Sequence, residues 1–450
     1  MGQRAKRIMA EILGIRGWAV EEAWIEDEAG KRWPALTKGL FVVPASAGGR
    51  LVLRLAPMYA AHCGHCNAVR CVVHERVDER RWRDLPWGPC AVEIAYAPRR
   101  LECSHCGKRC VEALPWAAPH QRATRRLQNL LAVQCSSSPV LHVAAMHGMN
   151  AQAVRRAEKA ALERWAKTRK AVPLEMVGVD EKWLGRRHGR KRGFVTIVSN
   201  LATGEPLWIG IGRGSDTLAQ WIATLSADQK KAIKLFAMDM HEPFRAAVRA
   251  DGALAHAAIV HDPFHVMKLA TEILNDVRKD VFFRAGPAMR RLGRGTRWLV
   301  LKAWERCTSE EQHAVNAILS MNATLARAWQ IVDELRTALG APTRDAMDVA
   351  LRRVLRRTAS RRHPALRRLH DSILNHREAI LSLAELRPPV GRIEALNNNW
   401  ETLVRRGRGY RDLSYLLLKL RFATAHPIRS RHDIGRLLAL EEPAVLAAAA

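Results

Sequence analysis

Three consecutive runs of apolar and β-branched residues in the middle of the chain most restrict its fold. They are Met176–Val179, Gly193–Asn200 and Pro206–Gly212, and Ala202-Thr203-Gly204 is typical of the turn between the last two. The pattern predicts three antiparallel strands. Asp180 directly follows the first run, so its carboxylate is expected at a fixed place on a rigid sheet, as a metal-binding carboxylate requires.

The sequence after these runs alternates between helix and strand patterns. A helix capped by Gly214-Ser215-Asp216 precedes a strand over Ala232–Met240, which contains Asp239, and a strand over Ala257–Val260 follows the helix Pro243–Arg249. Three antiparallel strands followed by strand–helix alternation are the ribonuclease-H-like pattern. That pattern places the first and fourth strands side by side and predicts that Asp180 and Asp239 meet. Two such carboxylates suit two Mg²⁺ ions about 3.5–4 Å apart.

Residues from Phe264 to Pro388 predict helices almost throughout, which indicates a large all-helical insertion. Arg352–Arg368 contains several Arg-Arg pairs and no acidic residue, so we expect it to contact phosphates. Trp298, Trp304 and Trp329 are interpreted as core residues.

A further helix begins near Ile393 and contains Glu394, the candidate third carboxylate. An acid in a first helical turn ordinarily complements the helix dipole. Here the position of Glu394 in the whole pattern favours a role as a site residue. Arg405 and Arg406, some turns later on the same helix, are candidates for contact with the DNA backbone.

Two Cys-x-x-Cys pairs, Cys63/Cys66 and Cys103/Cys106, predict a structural zinc site of four thiolates. The segment between them is longer than the usual ~15–20 residues, which indicates an inserted hairpin that includes Val92–Tyr96. Other nearby residues are alternatives for one ligand: Cys71, Cys110, His62, His65 and His105. Reduced cysteines in a small core are the competing interpretation.

Residues 121–170 predict a helix-turn-helix. Val140–His147 forms the first helix, Gly148 the sharp turn, and Asn150 caps a second helix over 151–170. In this motif the second helix enters the major groove, while a plain helical hairpin is the alternative. The candidate DNA-binding residues are Arg125, Arg126, Asn150, Gln152, Arg155, Arg156 and Lys159.

The formal net charge of +29 favours a polyanionic partner. No apolar run is long enough to cross a bilayer, and the N-terminus lacks a continuous signal core. We therefore expect a cytoplasmic, nucleoid-associated protein. The predicted divisions are a small β-containing region (1–60), a zinc-binding domain (61–112), a helix-turn-helix domain (113–170), the core (171–284 and 389–430), the helical insertion (285–388) and a tail (431–450).

Taken together, these motifs resemble DDE transposases of bacterial insertion sequences, specifically the family called ISL-three (ISL3). The resemblance covers nearly the whole chain, through the cysteine pairs, the helix-turn-helix, Gly178-Val179-Asp180-Glu181, Gly212-Arg213, Asp239, Asp262-Pro263-Phe264-His265, Glu394-x-x-Asn397, Arg405, Gly409 and Tyr410. It implies a ribonuclease-H-like fold with a helical insertion before the last acid. The implied triad is Asp180, Asp239 and Glu394.

The resemblance also assigns supporting residues, cofactors and partners. Asp262 and His265 match an Asp-x-x-His element, with Asp262 the rival of Asp239 as a metal ligand. Two Mg²⁺ or Mn²⁺ ions, a structural Zn²⁺, terminal inverted repeats, target DNA and at least a homodimer on DNA are implied. Relatives carry Lys or Arg two turns after the catalytic Glu, where this chain has Glu401, which indicates weaker DNA contact or lower activity.

Two other functions fit parts of the sequence. A zinc and helix-turn-helix regulator would bind DNA without cutting it. A ribonuclease or repair nuclease on the same fold would show no preference for paired terminal repeats.

Overall fold

The computed structural model describes residues 13, 15, 17–37, 40–41, 49–69, 71–88, 90–170, 172–184, 193–284, 286–359, 363–407, 410–425, 428, 430 and 432–434. The chain divides into two compact units, residues 1–170 with 425–450 and residues 171–424. Within these ranges, no helix combines the length and the hydropathy needed to span a membrane. Most of the predicted tail, and Gly409 of the family motif, lie outside the described residues.

Among its described residues, the first unit has ten short strands. They are β1 (Trp18–Glu26), β2 (Arg32–Pro34), β3 (Leu36–Thr37), β4 (Leu40–Phe41), β5 (Arg50–Pro57), β6 (Cys71–Arg76), β7 (Arg80–Trp87), β8 (Cys90–Tyr96), β9 (Arg99–Cys103) and β10 (Arg109–Val111). A five-stranded sheet has the order β2-β1-β5-β8-β7, a three-stranded sheet has the order β10-β9-β6, and β3 pairs with β4.

The hairpin formed by β7 and β8 was predicted as an insertion between the cysteine pairs. It belongs to the five-stranded sheet, because β8 pairs in parallel with β5 from Arg50↔Ala91 to Arg54↔Ala95. The buried side chains of Trp18, Leu53 and Ile94 bring both halves of this sheet into one core. The predicted boundary at residue 60 therefore lies inside a single sheet.

The described residues of the first unit also form three helices: α1 (Arg125–Ser137), α2 (Val140–Met146) and α3 (Ala151–Lys167). They pack around buried Leu127, Leu131, Val143 and Val154. Apolar residues three and four positions apart form the inward face of each helix. The predicted pair of helices at 140–147 and 151–170 is thus present, with the second helix ending slightly earlier.

A second five-stranded sheet organises the unit at 171–424. Its strands are β11 (Met176–Trp183), β12 (Phe194–Asn200), β13 (Glu205–Ile211), β14 (Leu235–Met238) and β15 (Ala258–His261), in the order β13-β12-β11-β14-β15. The β11–β12 and β12–β13 pairs are antiparallel, while β11–β14 and β14–β15 are parallel. The three predicted antiparallel strands are confirmed, and so is the neighbouring position of the first and fourth strands.

The predicted strand over Ala232–Met240 is shorter in the structure. Ala232 ends a helix, Ala227–Ala232, which the sequence reading missed. Ser226 begins that helix with a capping box, in which its hydroxyl accepts from the Gln229 amide and the Gln229 side chain accepts from the Ser226 amide. Only Leu235–Met238 remains as strand.

Helices cover both faces of this sheet. On one face, α4 (Ser215–Ile222) and α6 (Glu242–Ala250), with α5 (Ala227–Ala232) between them in sequence, contribute to a core that includes Val177 and Val179. On the other, α14 (Gly391–Gly407) and α15 (Leu413–Ala425) pack on Ile197 and its neighbours. Alternate residues of β11 therefore face different helices.

The predicted helical insertion has its own core. Its helices are α7 (Pro263–Phe283), α8 (Pro287–Leu292), α9 (Thr296–Leu301), α10 (Ser309–Ser320), α11 (Ala323–Leu339), α12 (Arg344–Thr358) and α13 (Pro364–Leu386), with short 3₁₀ helices at Gly252–Leu254, before the insertion, and Trp304–Arg306. Residues from α7, α11, α12 and α13 form a continuous buried cluster. The segment is helical as predicted and packs as a bundle.

Candidate functional site

Three aspartates occupy equivalent places on three adjacent parallel strands. Val179 of β11 pairs with Met238 of β14, and Met238 pairs with His261 of β15. The next residues along the chain are Asp180, Asp239 and Asp262. Parallel strands in register bring corresponding residues to the same edge, so the sheet gathers three carboxylates at one end.

Several buried polar atoms at this edge have no hydrogen-bond partner in the described structure. They include His265 Nδ1 and Asp180 Oδ2, although the Lys182 ammonium lies 3.2 Å from that Asp180 oxygen as an ion pair. The His265 Nδ1 atom lies 3.8 Å from Asp262 Oδ2 and 3.9 Å from Asp239 Oδ1, which is too far for a hydrogen bond. Carboxylate oxygens and an imidazole nitrogen with unused lone pairs fit a divalent cation.

The charges at the edge repel one another. Burial raises the pKa of the Asp262 carboxyl, and the carboxylates of Asp180 and Asp239 raise it further, against an opposing hydrogen bond from the Phe264 amide and the charge of His265. Asp262 also caps α7, since its Oδ1 accepts that amide at 2.9 Å. A bound cation would relieve this repulsion.

Glu394 lies in the first turn of α14 and is exposed. The neighbouring Ile393 packs on β11 at Gly178, and Arg392 Nη1 donates to the Leu201 carbonyl at 2.6 Å. Gly178 and Asp180, two residues apart on a strand, share a face. The start of α14 therefore lies over the face of the sheet that carries Asp180.

The structure does not close the three predicted acids into one tight cluster. Within the described ranges, one group of three or more metal-ligating side chains has all its ligand atoms within 4.8 Å of one another. It consists of Cys63, Cys66, Cys103 and Cys106. Asp180 and Asp239 stand on adjacent strands, whereas the Glu394 carboxylate belongs to no such group. The catalytic roles of the three acids stay predictions.

The four predicted zinc ligands do converge. The Cys63 and Cys103 side chains are buried, while Cys66 and Cys106 are partly exposed. Burial opposes ionisation of Cys63, but hydrogen bonds from the Cys66 and His65 backbone amides outweigh it and lower the pKa to about 6. A thiol that ionises readily among three others fits a zinc ion.

The predicted helix-turn-helix has the expected turn and cap. Gly148 adopts φ +55°, a conformation that favours glycine, and Asn150 Oδ1 accepts the Gln152 amide at 2.8 Å. Val154 is buried, whereas Gln152 and Arg156 are exposed. The second helix therefore presents a polar face and docks an apolar one.

Comparison with known proteins agrees with both parts of the chain. Residues 112–161 match the helix-turn-helix domain of transposase family ISL3. Residues 177–420, more than half of the chain, match the DDE domain of the same family, described as transposase. The chain belongs to transposase family ISL3.

The similarity extends along nearly the whole chain. The transposase for insertion sequence element IS1001 of Bordetella parapertussis is 27% identical over 424 residues, which cover 93% of this chain and 98% of that protein. This transposase is thus a DNA-processing enzyme with a DNA-binding helix-turn-helix domain.

Two residues predicted to contact DNA have structural roles in the described chain. The Arg126 guanidinium pairs with the buried Asp84 carboxylate, whose Oδ1 accepts from Arg126 Nε at 2.7 Å, so it ties α1 to β7. Asn150 uses its side chain to cap α3. Arg125 is half-buried at the start of α1. DNA contact by Gln152, Arg155, Arg156 and Lys159 stays a prediction.

The basic section of the insertion, predicted to contact phosphates, contains no acid of its own. Acids outside the section pair with part of it: Arg352 Nη2 lies 2.7 Å from Asp348, Arg357 Nη1 3.1 Å from Glu334, and Arg368 Nη1 3.3 Å from Asp276. Part of the charge therefore belongs to ion pairs on and between helices.

The interpretation of Trp298 as a core residue is wrong. Its side chain is 74% exposed, and the Arg297 guanidinium lies 4.8 Å from its ring centroid. Trp304 and Trp329 are half-buried and pack edge to face at 5.7 Å. The helical sequence pattern around these three tryptophans does not distinguish an exposed side chain from a half-buried one.

Sequence reasoning also missed neighbours of the aspartates. Lys182 Nζ lies 3.2 Å from Asp180 Oδ2, two residues along the same strand. His261 Nε2 lies 2.9 Å from His376 Nδ1, linking β15 to α13 beside Asp262. The i, i+2 spacing of Asp180 and Lys182 was a usable signal, whereas nothing in the sequence connects His261 with His376.

Proposed function

We propose that this transposase binds the terminal inverted repeats of its insertion sequence and catalyses metal-dependent DNA strand cleavage and strand transfer. The observation that carries this proposal is the set of three aspartates at corresponding positions along adjacent parallel strands, with buried polar atoms that a cation would satisfy. The strand order β13-β12-β11-β14-β15 supports a ribonuclease-H-like core.

We assign the metal site to Asp180, Asp239 and Glu394, with Asp262 and His265 in support. Magnesium or manganese bound there would supply charge stabilisation for phosphoryl transfer. Asp180 and Asp239 directly follow Val179 and Met238, which pair with each other on neighbouring strands. Glu394 has to approach them from the exposed first turn of α14, which lies over the same face.

The protein's own residues position the reactants. The rigid sheet orients the carboxylates, and Lys182, beside Asp180, supplies a positive charge near the site. DNA cleavage and strand transfer then use water and a DNA 3′-hydroxyl as successive nucleophiles, so no side chain has to form a covalent intermediate. Arg405 and Arg406, in the last turn of α14, are the proposed contacts with the DNA backbone.

Two ends must be held together for transposition, so we propose that at least two copies of the chain assemble on DNA. The exposed face of α3 is the proposed reader of the terminal repeats. The four-thiolate site is proposed to hold zinc that stabilises the β6–β9–β10 sheet next to the cysteines.

Replacement of Asp180 by alanine tests the catalytic assignment. We expect Asp180→Ala to lose cleavage of a labelled DNA end by at least ~10³-fold, because electrostatic stabilisation is a large part of phosphoryl-transfer catalysis. Binding of the same terminal repeat is expected to be unchanged.

Asp345→Ala is the matched control, since Asp345 is an exposed aspartate in the first turn of α12. It should cleave like the wild type. Cleavage by Asp180→Ala at the wild-type rate would overturn the catalytic assignment, and a wild type that binds repeats without Mg²⁺-dependent cutting would indicate a regulator.

A further inference from the structure

Asp180 has a positively charged partner on its own strand. Lys182 Nζ lies 3.2 Å from Asp180 Oδ2, and the two side chains are only 19% and 8% exposed. The other carboxylate oxygen, Oδ1, accepts the Glu181 amide at 2.8 Å. The Asp180 carboxylate is thus held by a backbone hydrogen bond on one side and by an ammonium group on the other.

The geometry of β11 explains this pair. Residues two apart on a strand point to the same face and lie roughly 6.5 Å apart, a distance that the four-carbon stem of lysine can span. Lys182 pairs with Val195 of β12, and Val195 is fully buried in an apolar cluster with residues of α14 and α15. Because these apolar neighbours offer no acceptor, the ammonium group turns back towards the Asp180 carboxylate.

The other two aspartates at this edge have no such partner. In the part of the chain that the structure describes, no lysine or arginine pairs with Asp239 or Asp262, and the His265 imidazole is the basic group near both. Three acidic side chains and one ammonium group leave an excess of negative charge, so the edge still attracts a cation.

A divalent ion and the ammonium group cannot share the Asp180 oxygen without repulsion. An ion bound to Oδ2 at the usual distance of about 2.1 Å would lie at most roughly 5 Å from Lys182 Nζ. Like charges this close, beside a largely buried carboxylate, repel strongly. One of the two cations therefore has to move away.

We propose that Lys182 competes with a divalent ion for Asp180 and that the ion displaces the ammonium group towards DNA. This inference rests on the metal-binding role proposed above for Asp180. The lysine stem is flexible and its charge suits a phosphate, which the substrate brings to the same place. Lys182 therefore weakens metal binding by the protein alone, and DNA strengthens that binding by taking up the ammonium group.

Binding of Mn²⁺ to the full chain in the absence of DNA tests the competition. Electron paramagnetic resonance measures free Mn²⁺, and the site is the one whose occupancy Asp180→Ala abolishes. We expect Lys182→Met to bind this ion about tenfold or more tightly than the wild type, because methionine keeps an unbranched stem and removes the charge. Lys182→Arg keeps the charge and should bind the ion no more tightly than the wild type.

Lys234→Met is the matched control. Lys234 Nζ lies 2.7 Å from Glu175 Oε2, and the neighbouring pair Met176 and Leu235 places this contact at the other end of β11 from Asp180. The variant removes the same charge from the same sheet, so its affinity for Mn²⁺ should equal that of the wild type. Equal tightening in Lys234→Met and Lys182→Met would reflect net charge alone and would contradict the competition.

The phosphate contact has its own readout. With saturating Mn²⁺, Lys182→Met should cleave a terminal-repeat substrate about tenfold more slowly than the wild type, although its metal site fills more readily. Cleavage at the wild-type rate would show that the displaced ammonium group does not act on DNA.

A purely structural role for Lys182 would lower stability without tightening metal binding. Unchanged or weaker Mn²⁺ binding by Lys182→Met would therefore overturn the competition and leave the metal site intact. Mn²⁺ binding that Asp180→Ala leaves unchanged would instead overturn the metal site proposed above, and this inference with it.

Discussion

At the scale of single residues, Gly178 shows how closely the sheet and α14 approach each other. A Cβ atom at this position would lie 2.7 Å from both Leu201 Cδ2 and Ser199 Oγ, and 3.3 Å from Ile393 Cγ1. The glycine therefore sets the distance between Asp180 and the helix that carries Glu394.

We predict that Gly178→Ala lowers the free energy of unfolding by about 1–3 kcal/mol, because the added methyl overpacks this contact. Thermal or urea unfolding of the full chain measures the effect. Gly252→Ala is the control, since a Cβ there meets no atom within 4 Å. Equal stabilities of the two variants would show that Leu201, Ser199 and Ile393 do not pack as tightly around Gly178 as the structure indicates.

Individual residues also mark the limit of sequence reasoning. Asp180 and Asp239 were identified because each belongs to or follows an apolar strand run, and Cys63 with Cys66 because their spacing is characteristic of metal sites. The ion pair of Arg126 was not predicted, because its partner Asp84 is distant in sequence and ordinary in its local pattern. Long-range polar pairing leaves no periodic signal along the chain.

At the scale of elements, the contact between β15 and α13 depends on two buried histidines. Burial, and after it the charge of neighbouring His376, lower the pKa of His261 to about 4. Burial also lowers the pKa of His376. The unfolded chain has ordinary histidines with a pKa near 6.5, so it binds protons more readily than the folded protein does.

We therefore predict that stability is lost as the pH falls from about 6.5 to about 4, with roughly 3 kcal/mol attributable to His261. His261→Asn should show a shallower loss over that window in unfolding measurements. His256→Asn, which alters an exposed histidine, should keep the wild-type slope. An unchanged slope in His261→Asn would mean that this contact does not govern the pH dependence.

The elements themselves were predictable to different degrees. The β-branched runs of β11 and β12 and the long helices of the insertion were recognised from composition and periodicity. The short helix at Ala227–Ala232 was missed because it buries no residue and so has no apolar face. The position of the β7–β8 hairpin in the five-stranded sheet depends on the parallel pairing of β8 with β5. No local sequence pattern predicts that pairing.

At the scale of the whole molecule, the comparisons and the structure agree on a transposase with a helix-turn-helix domain and a separate compact unit that carries the strand-end acids. The order of the motifs along the chain was enough to recognise the family. The order of the motifs did not predict the position of the Glu394 carboxylate, because that position depends on where α14 packs on the sheet. Glu401, two turns later, is exposed on the same helix.

The most direct test of the central claim is the metal preference of Asp180→Cys in cleavage of a terminal-repeat substrate. A thiolate is a poor ligand for Mg²⁺ and a better one for softer ions. We predict that this variant is nearly inactive with Mg²⁺ and that its activity with Mn²⁺ is about tenfold or more higher than with Mg²⁺. Asp345→Cys should keep the metal preference of the wild type. An Asp180→Cys variant that is equally active with both metals, or equally inactive, would contradict direct metal binding by Asp180.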